Sequence, residues 1–294
     1  MSITIDVMLP YYGDVEMMKL AAQSVLDQTH QEFRLVVLDD GYPDPEPERW
    51  FTSMTDPRVV YSKNEKNLGA NGNYRQALDL VEADWFVMMG ADDVMHPEYL
   101  ATVASAIDRF DVDIVQPGVN VIDEHGTTVL PLVDRIKKKI QPQVPAGGVA
   151  MGGEELTASL MRGNWAYFPS LAWKTATARA IGFRLGLDVV QDLALILDII
   201  KGGGQMAVLP EVVFDYRRHS QSDSSVRALD GRRFDEERQF FNGEADSFDA
   251  LGWKKAARVA RRHLTSRLNA ASLLVKASRT EGGSPRALWR HILR

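Results

Sequence analysis

Carboxylates arrive in pairs along this 294-residue chain. Asp39 and Asp40 close the apolar run Phe33 to Leu38, and Asp92 and Asp93 follow the run Trp85 to Met89 after Gly90 and Ala91. One such aspartate is as readily a turn or cap residue. Two adjacent pairs repel unless a cation or basic ligand joins them, which shifts the balance towards a site. Asp92 and Asp93 offer hard oxygen ligands suited to Mn2+ or Mg2+, ions that take one or two carboxylates and complete their shell with phosphate oxygens and water. Asp39 and Asp40 suit acceptance of hydrogen bonds from a base or ribose. The stretch Asn67-Leu68-Gly69-Ala70-Asn71-Gly72-Asn73 makes a glycine-rich entrance to a helix, open to close approach of a nucleotide. Together they point to a nucleoside diphosphate bound through a divalent cation.

Two further groups lie downstream. Asp192 falls in the first turn of an apolar helix over Val189 to Ile200, with Leu195, Ile196 and Ile199 on its face. A carboxylate there favours the helix dipole, and an apolar surrounding raises its proton affinity. Arg217, Arg218 and His219 follow the strand-like run Met206 to Tyr216 and precede SQSDSS. Such basic residues either face solvent or neutralise a diphosphate.

The elements that must hold these groups alternate between strand and helix, the rhythm of an α/β protein with a mostly parallel, Rossmann-like sheet flanked by helices. Ile3 to Leu9 reads as a strand stopping at Pro10, and Met18, Ala21, Ala22 and Val25 make one helical face. Val59 to Tyr61, a helix carrying Tyr74, Ala77, Leu78 and Val81, and Trp85 to Met89 continue the pattern. Three strands thereby deliver Pro10-Tyr11-Tyr12, Asp39-Asp40 and Asp92-Asp93 to the edge where open α/β sheets bind ligands. Pro97 to Phe110 reads as a helix, Val119 to Leu130 as a hairpin, and Gly153 to Met161 as a helix before a strand over Pro169 to Trp173. Pro131 to Gly153, with Lys137-Lys138-Lys139 read as a solvated run, reads as a long mobile loop.

Charge is unevenly spread. Leu251 to Arg294 carries 11 Lys and Arg against the single acid Glu281, leaving 23 basic against 39 acidic residues before it. An acidic body argues against nucleic-acid binding. In the tail, Trp253, Ala257, Ala260, Leu264, Leu268, Ala271 and Val275 form the apolar stripe of a basic amphipathic helix, which either packs on the body or meets anionic lipid. The chain has no cysteine, which excludes disulfides, cysteine-bound metal and a thiol nucleophile. It also lacks GxGxxG after a strand, GxxxxGK[ST], GxSxG and HExxH. Without a basic leader or a run of about 20 apolar residues, the sequence predicts a cytoplasmic protein, peripheral at the inner membrane face through its tail.

In order, LPYYGD, SVLDQTHQEFRLVVLDDGYPD, NEKNLGANGNYRQAL and FVMMGADD resemble the family 2 glycosyltransferases of the GT-A fold over roughly the first 110 residues, and VVQDLALILDIIKGGG and YRRHSQSDSS extend the likeness more loosely. The resemblance implies inverting, metal-assisted sugar transfer from a nucleoside diphosphate (UDP or dTDP favoured, GDP possible) to a hydroxyl of a glycan or lipid-linked acceptor in polysaccharide biosynthesis. By position, Pro10, Tyr11 and Asp40 line the nucleoside pocket with Tyr12, Asp39, Asn67, Gly69 and Asn73 nearby. Asp92 and Asp93 match the ribose and metal motif, and Asp192 matches the base. Gly90 stands where the first Asp of Asp-x-Asp is usual, and Gly41-Tyr42-Pro43-Asp44 replaces a Gly-Ser-x-Asp pattern. The implied organisation is a domain over 1–220, divided into a donor half (1–110) and an acceptor half (111–220), and a basic helical extension over 221–294. Two other readings stay open: a nucleotidyltransferase acting on sugar phosphates, although no GxGTR-like segment follows the first strand, and an inactive nucleotide-sugar-binding module.

Overall fold

Two alternating sets of apolar residues decide the architecture. Along β1 (Ile5–Tyr11) and β2 (Phe33–Asp39), Ile5, Val7, Leu9, Leu35 and Val37 enter one core, and Met8, Val36 and Leu38 enter another. Successive strand side chains point to opposite faces, so strands buried on both sides require helices on both sides. The computed structural model, which describes residues 3–218, 230–280 and 282–293, has this layered form.

The remaining strands are β3 (Val59–Lys63), β4 (Trp85–Met88), β5 (Val94–Met95), β6 (Ile114–Ile122), β7 (Val149–Gly152), β8 (Ala172–Lys174) and β9 (Gln205–Arg217). They form one sheet in the order β3-β2-β1-β4-β8-β6-β9-β5, with β7 also paired to β9. β1, β2, β3, β4, β6 and β9 run one way, and β5, β7 and β8 oppose them, so the sheet is mostly parallel, as expected.

The helices are α1 (Val15–Leu26), α2 (Glu46–Thr52), α3 (Gly69–Leu80), α4 (Tyr99–Arg109), α5 (Leu132–Ile140), α6 (Gly153–Met161), α7 (Thr175–Ile181), α8 (Gln191–Lys201), α9 (Arg232–Ala250), α10 (Lys254–Arg262), α11 (Leu264–Arg279) and α12 (Pro285–Leu293). α1 and α4 cover one face of the sheet. The other is covered by α3, α6 and α8, with α9 and α10 adding Phe240, Phe241, Phe248, Ala256, Ala257 and Ala260 to the same core. The face α1 buries is the predicted one, Met18, Ala21, Ala22 and Val25, and Asp14 caps the helix by accepting from the Met17 N–H at 2.9 Å.

Three sequence readings are corrected. The loop predicted over Pro131 to Gly153 holds α5 and β7, because Pro131 stands at the helix N-cap and Pro142 and Pro145 lie beyond its end. Lys137 is accordingly not part of a solvated run: it is half-buried, donates to the Ala166 carbonyl at 3.2 Å, and lies 4.2 Å from the centre of the Tyr167 ring. The hairpin over Val119 to Leu130 is present in short form: the end of β6 turns back, Ile122 bridges Thr128, and the Val129 N–H donates to the Val121 carbonyl at 2.9 Å. The single tail helix breaks at His263, a buried residue at φ 28° whose ring stacks on Phe241. The break changes the helical phase, so Ser266, Ala270 and Ala277 turn inward and Leu264, Leu268 and Val275 are more than half exposed. Lys254, Lys255 and Arg261 pair with Asp249, Glu155, and Asp246 with Asp249, respectively. No described helix is long and apolar enough to cross a membrane.

A charge in the central strand offers a test of this packing. Asp6 is buried and accepts two bonds from Arg34 (2.7 and 3.1 Å), together with the backbone N–H groups of Glu82 and Ala83. Removing the guanidinium leaves a buried carboxylate with N–H partners alone, so Arg34→Met is expected to cost about 3 kcal/mol. Urea unfolding should show a lower midpoint at unchanged slope; an unchanged midpoint would show that the pair contributes nothing.

Candidate active site

Parallel register gathers the strand ends. Tyr11 lies opposite Asp39, and Met8 opposite Met88, so β1, β2 and β4 finish along one edge, where Asp39-Asp40 and the Gly90–Asp93 turn emerge. The Tyr11 and Tyr12 rings each meet Tyr42 edge-on at 5.3 Å, and Tyr12 is exposed. Burial, with Tyr42 and Asp39 nearby, raises the Tyr11 hydroxyl pKa, and that hydroxyl donates to the Gly13 carbonyl at 2.7 Å.

Asp39 and Asp40 are both buried. Asp39 accepts from the Tyr42 N–H (2.6 Å) and the Tyr61 hydroxyl (2.7 Å). Asp40 accepts from Asn64 Nδ2 (2.9 Å) and the Leu68 N–H (2.8 Å). Asn73, also buried, donates to the Leu38 carbonyl and accepts from Asn64. These residues tie the ends of β2 and β3 to α3. Solvent reaches Asn67 and Gly69 at the start of α3, where Asn67 accepts from the Gly69 N–H and Gly69 holds φ +72°. Pro10 is partly buried in β1, opposite Leu38 of β2.

The Gly90–Asp93 turn has a different economy of bonds. Asp93 is buried; its Oδ1 accepts the Arg217 N–H at 2.8 Å, and its Oδ2 is buried without a partner among the described residues. Burial and the neighbouring Asp92 raise the Asp93 carboxyl well above the usual range. A Cβ at Gly90 would come within 2.4 Å of Asp93 Oδ2 and 3.1 Å of Asp92 Oδ1, so both carboxylates fold over this glycine. Arg217 locks the turn by donating to the carbonyls of Asp92 (2.6 Å) and Asp123 (2.9 Å). An unpartnered buried carboxylate oxygen beside a second carboxylate fits a hard divalent cation. No cluster of three His, Cys, Asp or Glu that could hold a metal ion occurs among the described residues.

Asp192 occupies the first turn of α8, half-buried, with Oδ1 accepting from the Leu193 N–H (2.7 Å) and Oδ2 from Asn164 Nδ2 (3.1 Å). Burial raises its pKa, opposed by the Leu193 N–H, Lys137 and Asn164. Burial and Arg218 bring the Lys137 amine down to about 8, against the pull of Asp134 and Asp192. Arg218 grips the buried Asp134 with two bonds, 2.6 and 2.8 Å, and the Tyr167 hydroxyl donates to the same carboxylate at 2.8 Å. Tyr74 joins the two acidic centres: burial raises its hydroxyl pKa, and so do Asp92, Asp192 and Asp93. The Tyr216 hydroxyl is pushed up to about 12 by burial and by Asp93 and Asp92.

Asp92, Asp93 and Asp192 all act electrostatically on the Tyr74 hydroxyl. Arg217 is bound to backbone carbonyls and Arg218 to Asp134; His219 lies outside the described residues. Sequence reasoning missed Asp134, Lys137, Asn164, Tyr167 and Tyr216, and read Tyr74 only as a helix-face residue. The position of Lys137 between Ile136 and Ile140 on an amphipathic segment was the available signal.

A family model described as Glycosyl transferase family 2 matches residues 6–155. An uncharacterized glycosyltransferase of Methanocaldococcus jannaschii, MJ1057, is 21% identical over 214 residues, covering 72% of this chain and 69% of its own length. The succinoglycan biosynthesis protein ExoO of Rhizobium meliloti is 22% identical over 224 residues, covering 74% of this chain and 62% of its own. Against an uncharacterized glycosyltransferase of Rickettsia conorii, 27% identical over 129 residues, the match spans only 21% of the relative's length. Among solved structures, S. aureus TarS 1-349 in complex with UDP-GlcNAc superposes with a TM-score of 0.63 at 18% identity over 81% of this chain and 66% of that one. The mannosyltransferase PcManGT of Pyrobaculum calidifontis, in complex with GDP-Man and Mn2+, gives 0.62 at 16% identity over 97% and 78%.

Proposed function

Since the chain belongs to glycosyl transferase family 2 and has the GT-A fold, we propose that it moves a sugar with inversion from a nucleoside diphosphate to a hydroxyl of a glycan or lipid-linked acceptor. The observation that carries this reading is the unpartnered carboxylate oxygen of Asp93, folded with the Asp92 carboxylate over Gly90, together with the buried carboxylate of Asp192, whose charge acts on the same Tyr74 hydroxyl as theirs. Residues 1–110 supply the donor half and 111–220 the acceptor half; Pro10, Tyr11, Tyr12, Asn67 and Gly69 border the nucleoside. The helices after residue 220 form the C-terminal extension. Family membership favours sugar transfer over the nucleotidyltransferase reading, and a buried carboxylate at Asp192 supports transfer over an inactive module.

Asp192 is the general base. Its two oxygens are oriented by Leu193 and Asn164, and it takes the acceptor's hydroxyl proton as the new oxygen–carbon bond forms and the diphosphate leaves with the old one. One direct displacement inverts the anomeric carbon. Asp92 and Asp93 would hold Mn2+ or Mg2+, which supplies Lewis-acid stabilisation of the leaving diphosphate when bound. Arg217 keeps the turn that carries them in place. Lys137 is a positioning residue whose charge favours the ionised form of Asp192.

A screen of UDP-, dTDP- and GDP-sugars for Mn2+-dependent protection against thermal unfolding tests donor binding, since a ligand at 100 times its Kd stabilises by about 2.7 kcal/mol. Product NMR then reports the anomeric configuration, and retention would reject the single-displacement scheme. Lys137 makes a separate prediction. Without its charge the Asp192 carboxyl holds its proton to higher pH, so Lys137→Met should move the acid limb of the transfer profile upward, with donor affinity kept. An unmoved limb would exclude the coupling.

A further inference from the structure

Helix α5 is built inside out. A short surface helix ordinarily turns its apolar stripe inward and its charges to water. In α5, Asp134 is buried and Lys137 half-buried, whereas Leu132 (61% exposed), Val133 (46%) and Ile136 (39%) face solvent. The orientation is held from within: Arg218 and Tyr167 bind Asp134, and the Ala166 carbonyl and Tyr167 ring bind Lys137. Rolling the apolar residues inward would break those bonds and leave Arg218 without its carboxylate. The outer surface also carries Arg135, Lys138 and Lys139, which are exposed and have no ion-pair partner among the described residues. Helical spacing places Leu132 and Ile136 one turn apart, with Arg135 and Lys139 flanking them.

We propose that this face docks on an anionic lipid surface. In that pose α5 lies in the headgroup plane, with Leu132, Val133 and Ile136 at the acyl boundary and Arg135, Lys138 and Lys139 among the phosphates. The inner side of the same helix meets the active site through Lys137, so docking brings Asp192 to a surface that carries a lipid-linked acceptor. That last clause rests on the transfer reading above; the docking itself does not. A second copy of the chain fits this face less well, because a self-complementary contact would set three cations against three cations. The tail is the competing basic surface: Lys254, Lys255 and Arg261 are paired with acidic residues, whereas Arg258 and Arg262 are exposed without an ion-pair partner among the described residues, which makes those two the control for the α5 variants.

The test is co-sedimentation of the full chain with vesicles of phosphatidylglycerol and phosphatidylcholine, and with phosphatidylcholine alone. Wild type should bind the anionic vesicles, and less at high salt. R135E/K138E/K139E should lose at least about 100-fold in partitioning, and L132E/I136E about tenfold or more. R258E/R262E in the tail should sediment like wild type. Mn2+-dependent binding of UDP or GDP, measured by calorimetry, should be the same in all of them; that readout bears on the transfer reading and leaves the docking result independent of it. Docking is overturned if wild type ignores anionic vesicles, if the α5 variants bind like wild type, or if only the tail variant loses binding. A dimer seen by light scattering and dissolved by L132E/I136E would overturn it in favour of a second copy.

Discussion

Asp192→Asn is expected to bind the nucleotide sugar as wild type does and to transfer its sugar at least about 100-fold more slowly. Asparagine keeps the size of the side chain and can still meet Asn164 and the Leu193 N–H after an amide flip, so α8 should keep its place, but the basic oxygen is gone. The pH profile adds a second readout. Burial raises the Asp192 pKa above its ordinary 3.8. The base works only when deprotonated, so wild-type transfer should fall as pH drops through a value above that of a solvent-exposed aspartate, and the variant's residual rate should lack this limb. Transfer near the wild-type rate would remove Asp192 from the mechanism. Loss of folding and donor binding together would reduce it to a helix-end residue.

The second large effect belongs to the turn after β4. Asp92→Asn should weaken Mn2+-dependent nucleotide binding by about 100-fold, a loss at the upper end of those caused by removing mere outer-shell partners of a metal. Of the two aspartates that the sequence offers as ligands, Asp93 has a buried oxygen lacking a partner among the described residues. Asp93→Asn is therefore expected to lose cation dependence too, and also to disturb Arg217, whose N–H it receives. Calorimetry with and without Mn2+ separates these consequences: a cation defect appears only in the Mn2+ titration, whereas a displaced Arg217 also lowers thermal stability without metal. Unchanged affinity in Asp92→Asn would mean that this aspartate is not a ligand. Because a Cβ at Gly90 would press on both carboxylates, Gly90→Asp should damage the turn instead of adding a ligand.

The first 110 residues were readable because their signals are local. A strand buried on both faces is a short apolar run, and β1, β2 and β4 each end where a polar group appears. The α1 face follows from spacing alone. What was misread depended on remote partners. α5 carries its charges inward, so hydrophobic periodicity predicts the wrong exposure for it, and its flanking prolines resemble those of a loop. The break at His263 places a non-glycine residue at positive φ, a conformation no sequence rule anticipates, and Phe241 stabilises it from another helix.

Residue types and their order determined that this chain builds a mostly parallel α/β sheet ending in paired carboxylates, with one more carboxylate at the head of an apolar helix. Only the tertiary structure decided which of those groups remain available for chemistry. Asp39 and Asp40 are each engaged by two donors from β3 and the surrounding loops, whereas Asp93 keeps a buried oxygen without one among the described residues. The partners that set these differences lie far along the chain: Arg217 is 124 residues from Asp93, and Arg218 is 84 from Asp134. Hydrogen-bond satisfaction and desolvation depend on what packs around a group in space, and sequence spacing carries that information only where the neighbours belong to the same strand or helix.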